Sequence, residues 1–164
     1  MRRRFDEMNC SIAQALEVLG DWWTLLIIRE AFLGTRRFAD FEANLGISKS
    51  VLARRLRQLI DHEVLEAIDA GQFGRRLEYR LTARGKDLIT VITALRQWGD
   101  RWIHGEGREP LLVLDRRTGR PLPRLRIVDE AGAPVAAGDM VVAPGPGADQ
   151  ETKDRFARAR LRSG

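Results

Sequence analysis

Residues 38–62 read FADFEANLGISKSVLARRLRQLIDH and contain two amphipathic segments that meet at Gly46. The first segment, residues 38–45, repeats apolar side chains at helical spacing, and glycine commonly stands just beyond the end of a helix. The second segment begins at Ser48, and serine is a favoured residue at the start of a helix. Its apolar stripe consists of Leu52, Leu56, Leu59 and Ile60. The pattern predicts two short helices joined by a tight turn, which is a helix-turn-helix.

The outer surface of the second predicted helix is basic. Between residues 48 and 60 the chain carries four cations and no acid, whereas the whole chain, with 28 Lys and Arg against 23 Asp and Glu, has a net charge of only +5. At 100° per residue, Ser50, Arg54, Arg57 and Asp61 lie opposite the apolar stripe. Arg55 lies nearer the apolar edge, so we expect it to brace the domain through a salt bridge.

A basic helix in this position can enter the major groove of DNA, with its N-terminal end directed at bases or phosphates. The predicted DNA contacts on this helix are Ser48, Lys49, Ser50, Arg54 and Arg57. The alternative is a solvated charged face, which is normal for a surface helix. The segment that follows favours the DNA interpretation.

That segment changes from helical to alternating periodicity. Residues 64–68 predict a strand, residues 69–74 a turn, and Leu77, Tyr79 and Leu81 alternate with charged residues as in a returning strand. The tip of such a hairpin would act as a wing that reaches the flanking minor groove or the DNA backbone. The predicted contacts of the wing are Arg75 and Arg76, and Arg36 and Arg37 are predicted to touch phosphate. A turn that only increases solubility is the alternative for the wing.

Further helices are predicted on both sides of this motif. Residues 12–19 show helical spacing, and Asp21 then caps an almost entirely apolar helix that ends at Gly34. Because that helix is apolar nearly all round, we expect it at the centre of the core. Thr82 caps a long closing helix whose apolar stripe has near-heptad spacing and runs through Ile103.

The C-terminal part predicts a different architecture. Residues 111–115 and 125–129 are strand-like, and each is followed by a glycine turn and a proline, a weak repeat of about fourteen residues that predicts a small β-rich appendage. One more strand is expected at 140–142, before a Pro- and Gly-rich linker. Residues 150–162 are highly charged and compatible with a helix, and we expect much of this tail to be mobile. The predicted division is 8–104 for a DNA-binding and dimerisation domain, 105–143 for the β-hairpin appendage, and 144–164 for the linker and tail.

Composition excludes several classes of protein. The 164 residues suit one domain with appendages, no apolar run reaches the roughly 18 residues of a membrane span, and the N-terminus lacks the apolar stretch of a signal peptide. A single cysteine and two histidines exclude an internal disulfide and a Cys₂His₂ or Cys₄ zinc site. There is no phosphate loop, nucleophile triad or paired-carboxylate pattern. We therefore expect a cytoplasmic protein with no metal, no cofactor and no enzymatic activity.

Four motifs occur in order along the chain: CSIAQALEVLGDWWT at 10–24, RFADF at 37–41, GIS with LARRLRQL at 46–59, and EYRLTARG at 78–85. Together they resemble the HxlR-type winged-helix regulators, over residues 8–104. Ser11 departs from the family pattern, where proline is usual, and so does Trp22, where a basic residue is common. The resemblance implies an α+β winged helix-turn-helix with a long C-terminal dimerisation helix, in a bacterial, nucleoid-associated transcription regulator related to the MarR group.

The resemblance also implies a homodimer, formed through the N-terminal helix and the closing helix, that binds an inverted-repeat operator and most commonly represses transcription. The residues predicted to line the dimer interface or a pocket for a small aromatic effector are Trp22, Trp23, Leu88, Ile92, Leu95, Trp98 and Trp102. Ordinary core and interface packing is the alternative for these side chains. For the whole domain, the alternative is a protein-interaction module whose basic face binds an acidic partner.

Cys10 stands where several members of the family carry a thiol sensor for oxidants or electrophiles. The arginines at residues 2–4 and the helix that begins just after Cys10 would favour the reactive thiolate. Because the chain has no second cysteine, a disulfide would have to join two subunits or a small thiol. A small packing residue at the start of a helix is the alternative.

Overall fold

Helices dominate the part of the chain that the structure, a computed structural model, describes, namely residues 5–71 and 76–162. In chain order the elements are α1 (Ser11–Leu19), α2 (Trp22–Phe32), α3 (Phe38–Leu45), α4 (Lys49–Asp61), β1 (Leu65–Asp69), β2 (Leu77–Leu81), α5 (Ala83–Asp87), α6 (Ile89–Gly99) and α7 (Gln150–Arg162). A π-helical turn, Asp100–His104, follows α6, and a 3₁₀ turn spans Ala137–Asp139. The chain divides into a larger unit, Ala15–Leu122, and a smaller one that contains the described parts of Met1–Gln14 and Pro123–Gly164.

The core of the larger unit is built around α2, as its composition predicts. The Asp21 side chain accepts a hydrogen bond from the Trp23 backbone N–H at 3.0 Å and so caps the helix. Ile27 and Ile28 are fully buried, and Ala31 is nearly so. Among the described residues, no single helix is long and apolar enough to cross a membrane. α1 and α2 taken together have the length and composition of a membrane span, but they are bent by 76° relative to one another.

The helix-turn-helix forms over the predicted residues. Gly46 ends α3 with φ 62°, a left-handed conformation that glycine adopts without the strain of a side chain. Ser48 occupies the N-cap position of α4, but its hydroxyl makes no capping hydrogen bond and lies 3.4 Å from the Ser50 hydroxyl. The stripe of leucines on α4 faces the core, with Leu52, Leu56 and Leu59 at most 1% exposed.

The predicted hairpin is also present. β1 and β2 pair antiparallel, from Leu65 opposite Leu81 to Asp69 opposite Leu77. The Asp69 side chain accepts hydrogen bonds from the backbone N–H groups of Gly71 and Arg76, which closes the base of the turn. The tip, residues 72–75, lies outside the described residues. The prediction of an α+β winged helix-turn-helix is confirmed.

The closing helix differs from the prediction, because it is broken at Leu88. Its first part, α5, begins at Thr82, whose hydroxyl accepts a hydrogen bond from Gly85 N–H and donates one to the Glu63 carbonyl. A side chain at Gly85 would lie 2.1 Å from the Val64 carbonyl oxygen. α5 is therefore held against the backbone that leads into the hairpin, whereas α6 packs on α2.

The β-appendage is reduced to single bridges. In the larger unit Leu114 pairs with Pro121, and in the smaller unit Val128 pairs with Pro134, each across a tight turn begun by an aspartate. Both copies of the sequence repeat thus form a turn closed by one antiparallel bridge, but neither extends into a pair of strands. The hydrogen bonds at each bridge come from the residues beside the proline, such as Leu122 N–H to the Val113 carbonyl at 2.8 Å and Val135 N–H to the Ile127 carbonyl at 2.9 Å, so the proline is accommodated without an N–H of its own. The expected strand at 140–142 is also absent, and these residues follow the 3₁₀ turn as irregular chain.

A buried carboxylate joins α2 to α3. Glu30, 6% exposed, accepts hydrogen bonds from Arg29 at 2.8 Å and from Thr35 and Asn44 at 3.0 Å. Burial by itself raises the pKa of Glu30, but the hydrogen bonds from Arg29, Asn44 and Thr35 and the charge of Arg29 outweigh it. The pKa of Glu30 is therefore lowered, and the ionised form is the stable one in the folded chain.

We expect Glu30→Gln to lower the free energy of unfolding at neutral pH by about 1–3 kcal/mol, because the carboxylate of the parent protein accepts from three donors and an amide cannot satisfy all of them. Since the folded-state pKa of Glu30 is lowered, its contribution is fully present above the unfolded-state pKa and is lost as the pH falls through the folded-state value. Denaturant titrations at neutral and acidic pH should therefore show a difference between parent and variant that shrinks in acid. The exposed Glu66→Gln serves as the control, and a pH-independent difference for Glu30→Gln would contradict this role.

Candidate nucleic-acid interface

The outer face of α4 is a continuous exposed surface. Ser48, Lys49, Ser50, Arg54 and Arg57 are all exposed, opposite the buried leucines. Within the described part of the chain, Lys49, Arg54 and Arg57 form no ion pair and no side-chain hydrogen bond. Their guanidinium and ammonium groups are therefore available to an anionic partner. The five predicted residues lie on the outer side of α4 and the turn before it, together with the exposed Ala53 and Asp61.

Arg55 faces inward, as its position near the apolar edge of α4 predicts. Its guanidinium contacts the Asp21 carboxylate at 2.5 Å, with the side chains of Arg55 and Asp21 only 11% and 23% exposed. It also donates to the Gln58 side chain at 2.9 Å. Because Asp21 caps α2 at the same time, one carboxylate holds the first turn of α2 and the middle of α4 together.

Arg36 and Arg37 separate in role. Arg36 is half-buried and donates to the Ala31 carbonyl in the last turn of α2 at 2.7 Å and to the Thr35 carbonyl in the loop that follows at 3.1 Å. Its own carbonyl accepts from the Tyr79 N–H at 2.8 Å, which ties this stretch to β2. Arg37 is exposed at the N-cap of α3. Sequence reasoning predicted phosphate contact for both and missed the structural role of Arg36.

The wing contributes fewer described groups. Arg76 is exposed at the start of β2, and its backbone N–H is held by Asp69. Arg75 lies outside the described residues. Arg80, on β2, pairs with Glu78 at 2.9 Å and is therefore partly neutralised.

The HxlR-like helix-turn-helix family matches residues 18–106, a range that contains the helix-turn-helix, the hairpin and the helices on either side. The chain belongs to this family. An HTH-type transcriptional regulator of Mycobacterium tuberculosis, itself uncharacterised, is 37% identical over 137 residues, which are 84% of this chain and 87% of the relative.

Two solved structures of similar proteins extend the match beyond the family domain. PA1607, a proposed transcription factor, has a TM-score of 0.80 at 37% identity and covers 87% of this chain and 100% of its own. PA1374 of Pseudomonas aeruginosa, also a proposed transcription factor, has a TM-score of 0.63 at 34% identity and covers 89% and 99%. The family and these relatives are transcriptional regulators rather than enzymes, which confirms the prediction of a non-enzymatic HTH regulator.

In this HxlR-like protein the residues predicted for a dimer interface or effector pocket divide into two groups. Trp23, Leu88 and Ile92 are partly buried and pack against the core. Leu95, Trp98 and Trp102 follow one another at helical spacing on α6 and the π-helical turn and are 52%, 58% and 64% exposed. We call these three residues the α6 face. Trp22, on α2, is 75% exposed.

Within one subunit the four tryptophans do not line a common cavity, and an effector pocket between subunits stays a prediction. The larger unit has an apolar cavity of about 600 Å³, and its lining includes Ile92 and Leu95 from the predicted set but none of the four tryptophans. The tryptophans are excluded because Trp23 packs into the core while Trp22, Trp98 and Trp102 point to the surface. Aliphatic side chains form most of the wall instead.

Cys10 lies in the smaller unit, half-buried beside a polar cavity of about 340 Å³. The lining residues that carry charge are Glu7, Asp149, Glu151 and Arg155. Asn9 accepts hydrogen bonds from the Asp149 N–H and the Thr152 hydroxyl, so the start of α7 is attached next to the cysteine. Arginines 2–4 lie outside the described residues, and thiol sensing by Cys10 stays a prediction.

We expect Asp21→Ala to lower the free energy of unfolding by about 2–4 kcal/mol, because it removes the cap of α2 and leaves the largely buried Arg55 without its carboxylate. Guanidinium titration followed by circular dichroism measures the change. Arg84→Ala is the matched control, since the Arg84–Glu63 pair at 3.7 Å is exposed and worth little. A loss for Asp21→Ala no larger than that for Arg84→Ala would contradict the bracing role.

Proposed function

We propose that this protein is a homodimeric transcriptional repressor that binds an inverted-repeat operator. The observation that carries the proposal is the exposed face of α4, where three cations have no partner within the described chain. On a helix-turn-helix this face is the surface that meets the major groove. Occupation of an operator that overlaps a promoter would block RNA polymerase.

The side chains on this face divide by reach. Arg54 and Ser50 lie on the side away from the core, and we assign them to base edges, where arginine makes a bidentate contact with guanine. Lys49, Arg57 and Arg37 are assigned to phosphates, which fix the register of the helix in the groove. Arg75 and Arg76 are assigned to the flanking backbone. Arg36 is left out, because its guanidinium already serves the end of α2.

Dimerisation is proposed through the α6 face. Three neighbouring apolar side chains, each more than half exposed, make a surface that a monomer in water has reason to cover. A two-fold axis at such a face makes the interface self-complementary and places two copies of α4 on successive major grooves. The operator should then be an inverted repeat with half-sites about one helical turn, roughly 34–36 Å, apart.

The proposal is tested by binding to the intergenic DNA next to the protein's own gene, compared with an unrelated fragment of equal length. We expect a preference of about 10³-fold or more at physiological salt. Arg54→Ala should reduce the free energy of binding to the specific fragment by about 1–3 kcal/mol. Arg57→Ala should weaken binding to both fragments alike and lower the slope of log K against log salt concentration by about 1. Arg84→Ala, an exposed cation on α5, is the control. Equal weak binding to both fragments, unchanged in Arg54→Ala, would favour a protein-interaction module.

The dimer is tested separately. We expect Trp98→Lys to convert the protein to a monomer, because a charge placed at the centre of an apolar interface cannot be desolvated cheaply. Sedimentation velocity measures the oligomeric state, and operator affinity should fall with it since each subunit then holds only one half-site. Val141→Lys, at an 87% exposed position of the smaller unit, is the control. A Trp98→Lys protein that remains dimeric would show that another surface joins the subunits.

A further inference from the structure

The apolar cavity of the larger unit is a partly open groove, and some of its lining side chains, such as Leu33 and Leu112, are more than half exposed. Its volume of about 600 Å³ falls within the range of ligand pockets in proteins, roughly 300–1,000 Å³. One wall is α2, the opposite wall is α6 with the π-helical turn, and the segment 110–114 closes a third side. The aliphatic lining includes Leu25, Leu26, Ile89, Ile92, Leu95 and Leu112, of which Leu95 also belongs to the α6 face.

A small polar group lies in this apolar lining. Arg29 projects from α2, and its Nε is buried with no hydrogen-bond partner among the described residues, while its terminal nitrogen contacts Glu30. On the α6 side Arg96 pairs with Asp100 at 2.7 Å and also donates to the Leu111 carbonyl at 3.1 Å. His104 completes the group. Asp100 is the one carboxylate in the lining, and Arg96 already neutralises it.

We propose that this cavity binds a small apolar carboxylic acid, and that the acid regulates DNA binding. The aliphatic walls suit a hydrocarbon body, and buried apolar area supplies most of the affinity. Arg29 and Arg96 bring two guanidinium groups to the lining, and a carboxylate matches the fork of a guanidinium. A cationic headgroup would meet two arginines and no free carboxylate in the lining, so the site selects against amines.

The regulatory part rests on the proposed function and follows from the position of α2. Arg29 in the cavity contacts Glu30, and Glu30 holds Thr35 and Asn44, which lie before and within α3. At the other end of α2, Asp21 holds Arg55 of α4. A ligand that draws the Arg29 guanidinium toward itself therefore acts on the contacts that position the helix-turn-helix. Coupling between such sites commonly changes affinity about 5–150-fold.

The experiment uses the full-length protein and three probes with the same ten-carbon chain, each below its micelle concentration: decanoate, 1-decanol and decyltrimethylammonium. Isothermal titration calorimetry gives the affinities. We expect decanoate to bind about 10-fold or more tightly than decanol, since a charge-assisted hydrogen bond is added to the same apolar contact. No binding of decanoate, or equal binding of all three probes, overturns the proposal.

Two variants locate the site. Arg29→Met keeps the apolar stem of the side chain and removes the donors, so it should abolish the preference for decanoate and leave decanol binding unchanged. Thr93→Trp fills the cavity from α6 and should abolish binding of both. Arg84→Met, outside the cavity, is the matched control and should bind like the parent. Decanoate binding that survives Thr93→Trp overturns the assignment to this cavity. A change of oligomeric state in that variant also overturns it, because a second copy of the chain would then be what covers the groove.

Ligand binding and its effect on DNA binding are tested by separate measurements. Calorimetry tests the cavity with no DNA present, and operator binding with and without decanoate tests the coupling. Decanoate binding together with an operator affinity that shifts about 5-fold or more in the parent and not in Thr93→Trp supports the whole proposal. An unshifted operator affinity overturns the regulatory part. If the ligand-free protein shows no specific DNA binding while calorimetry still shows that it binds decanoate, the proposed function is contradicted and the carboxylate site stands.

Discussion

The burial of α2 is the constraint on which the rest of the larger unit depends. A helix that is apolar nearly all round is stable in water only when neighbours cover it on several sides. α3, α4, β2 and α6 all contact it, so the helix-turn-helix, the wing and the closing helix are each positioned by packing on the same element. Polar contacts at its two ends attach α2 to the helix-turn-helix. Asp21 at the start of α2 contacts Arg55 of α4, and Glu30 near its end accepts hydrogen bonds from Thr35 and Asn44.

Local signals of the sequence were sufficient for most of the helix-turn-helix. Gly46 requires a left-handed backbone, Asp21 and Thr82 are capping residues, and the leucines of α4 repeat at helical spacing, so each element is specified by residues within or next to it. Arg55 was placed correctly for the same reason, since its angular position on the helix is a local property. Where short-range chemistry decides the structure, the sequence is informative.

The misplaced residues depend on contacts that are distant in sequence. Nothing near Arg36 indicates that its guanidinium turns back to the carbonyls of α2 rather than outward. The break at Leu88 follows from the need to pack α5 on residues 63–64 and α6 on α2, and no proline or glycine marks it. Spacing alone also does not separate a tryptophan that packs against the core, such as Trp23, from one at the surface, such as Trp98. One signal was available for Glu30: an acid within an apolar helix must find partners if it is buried.

The Asp21–Arg55 contact has a consequence for how binding specificity can change. The residues of α4 that support the fold, Arg55 and the buried leucines, are different from those that face outward, and the two sets interleave along the same helix. Exchange of Ser50, Arg54 or Arg57 therefore alters no contact within the described core. The outer face of this single helix can therefore be substituted residue by residue while the scaffold beneath it keeps its contacts.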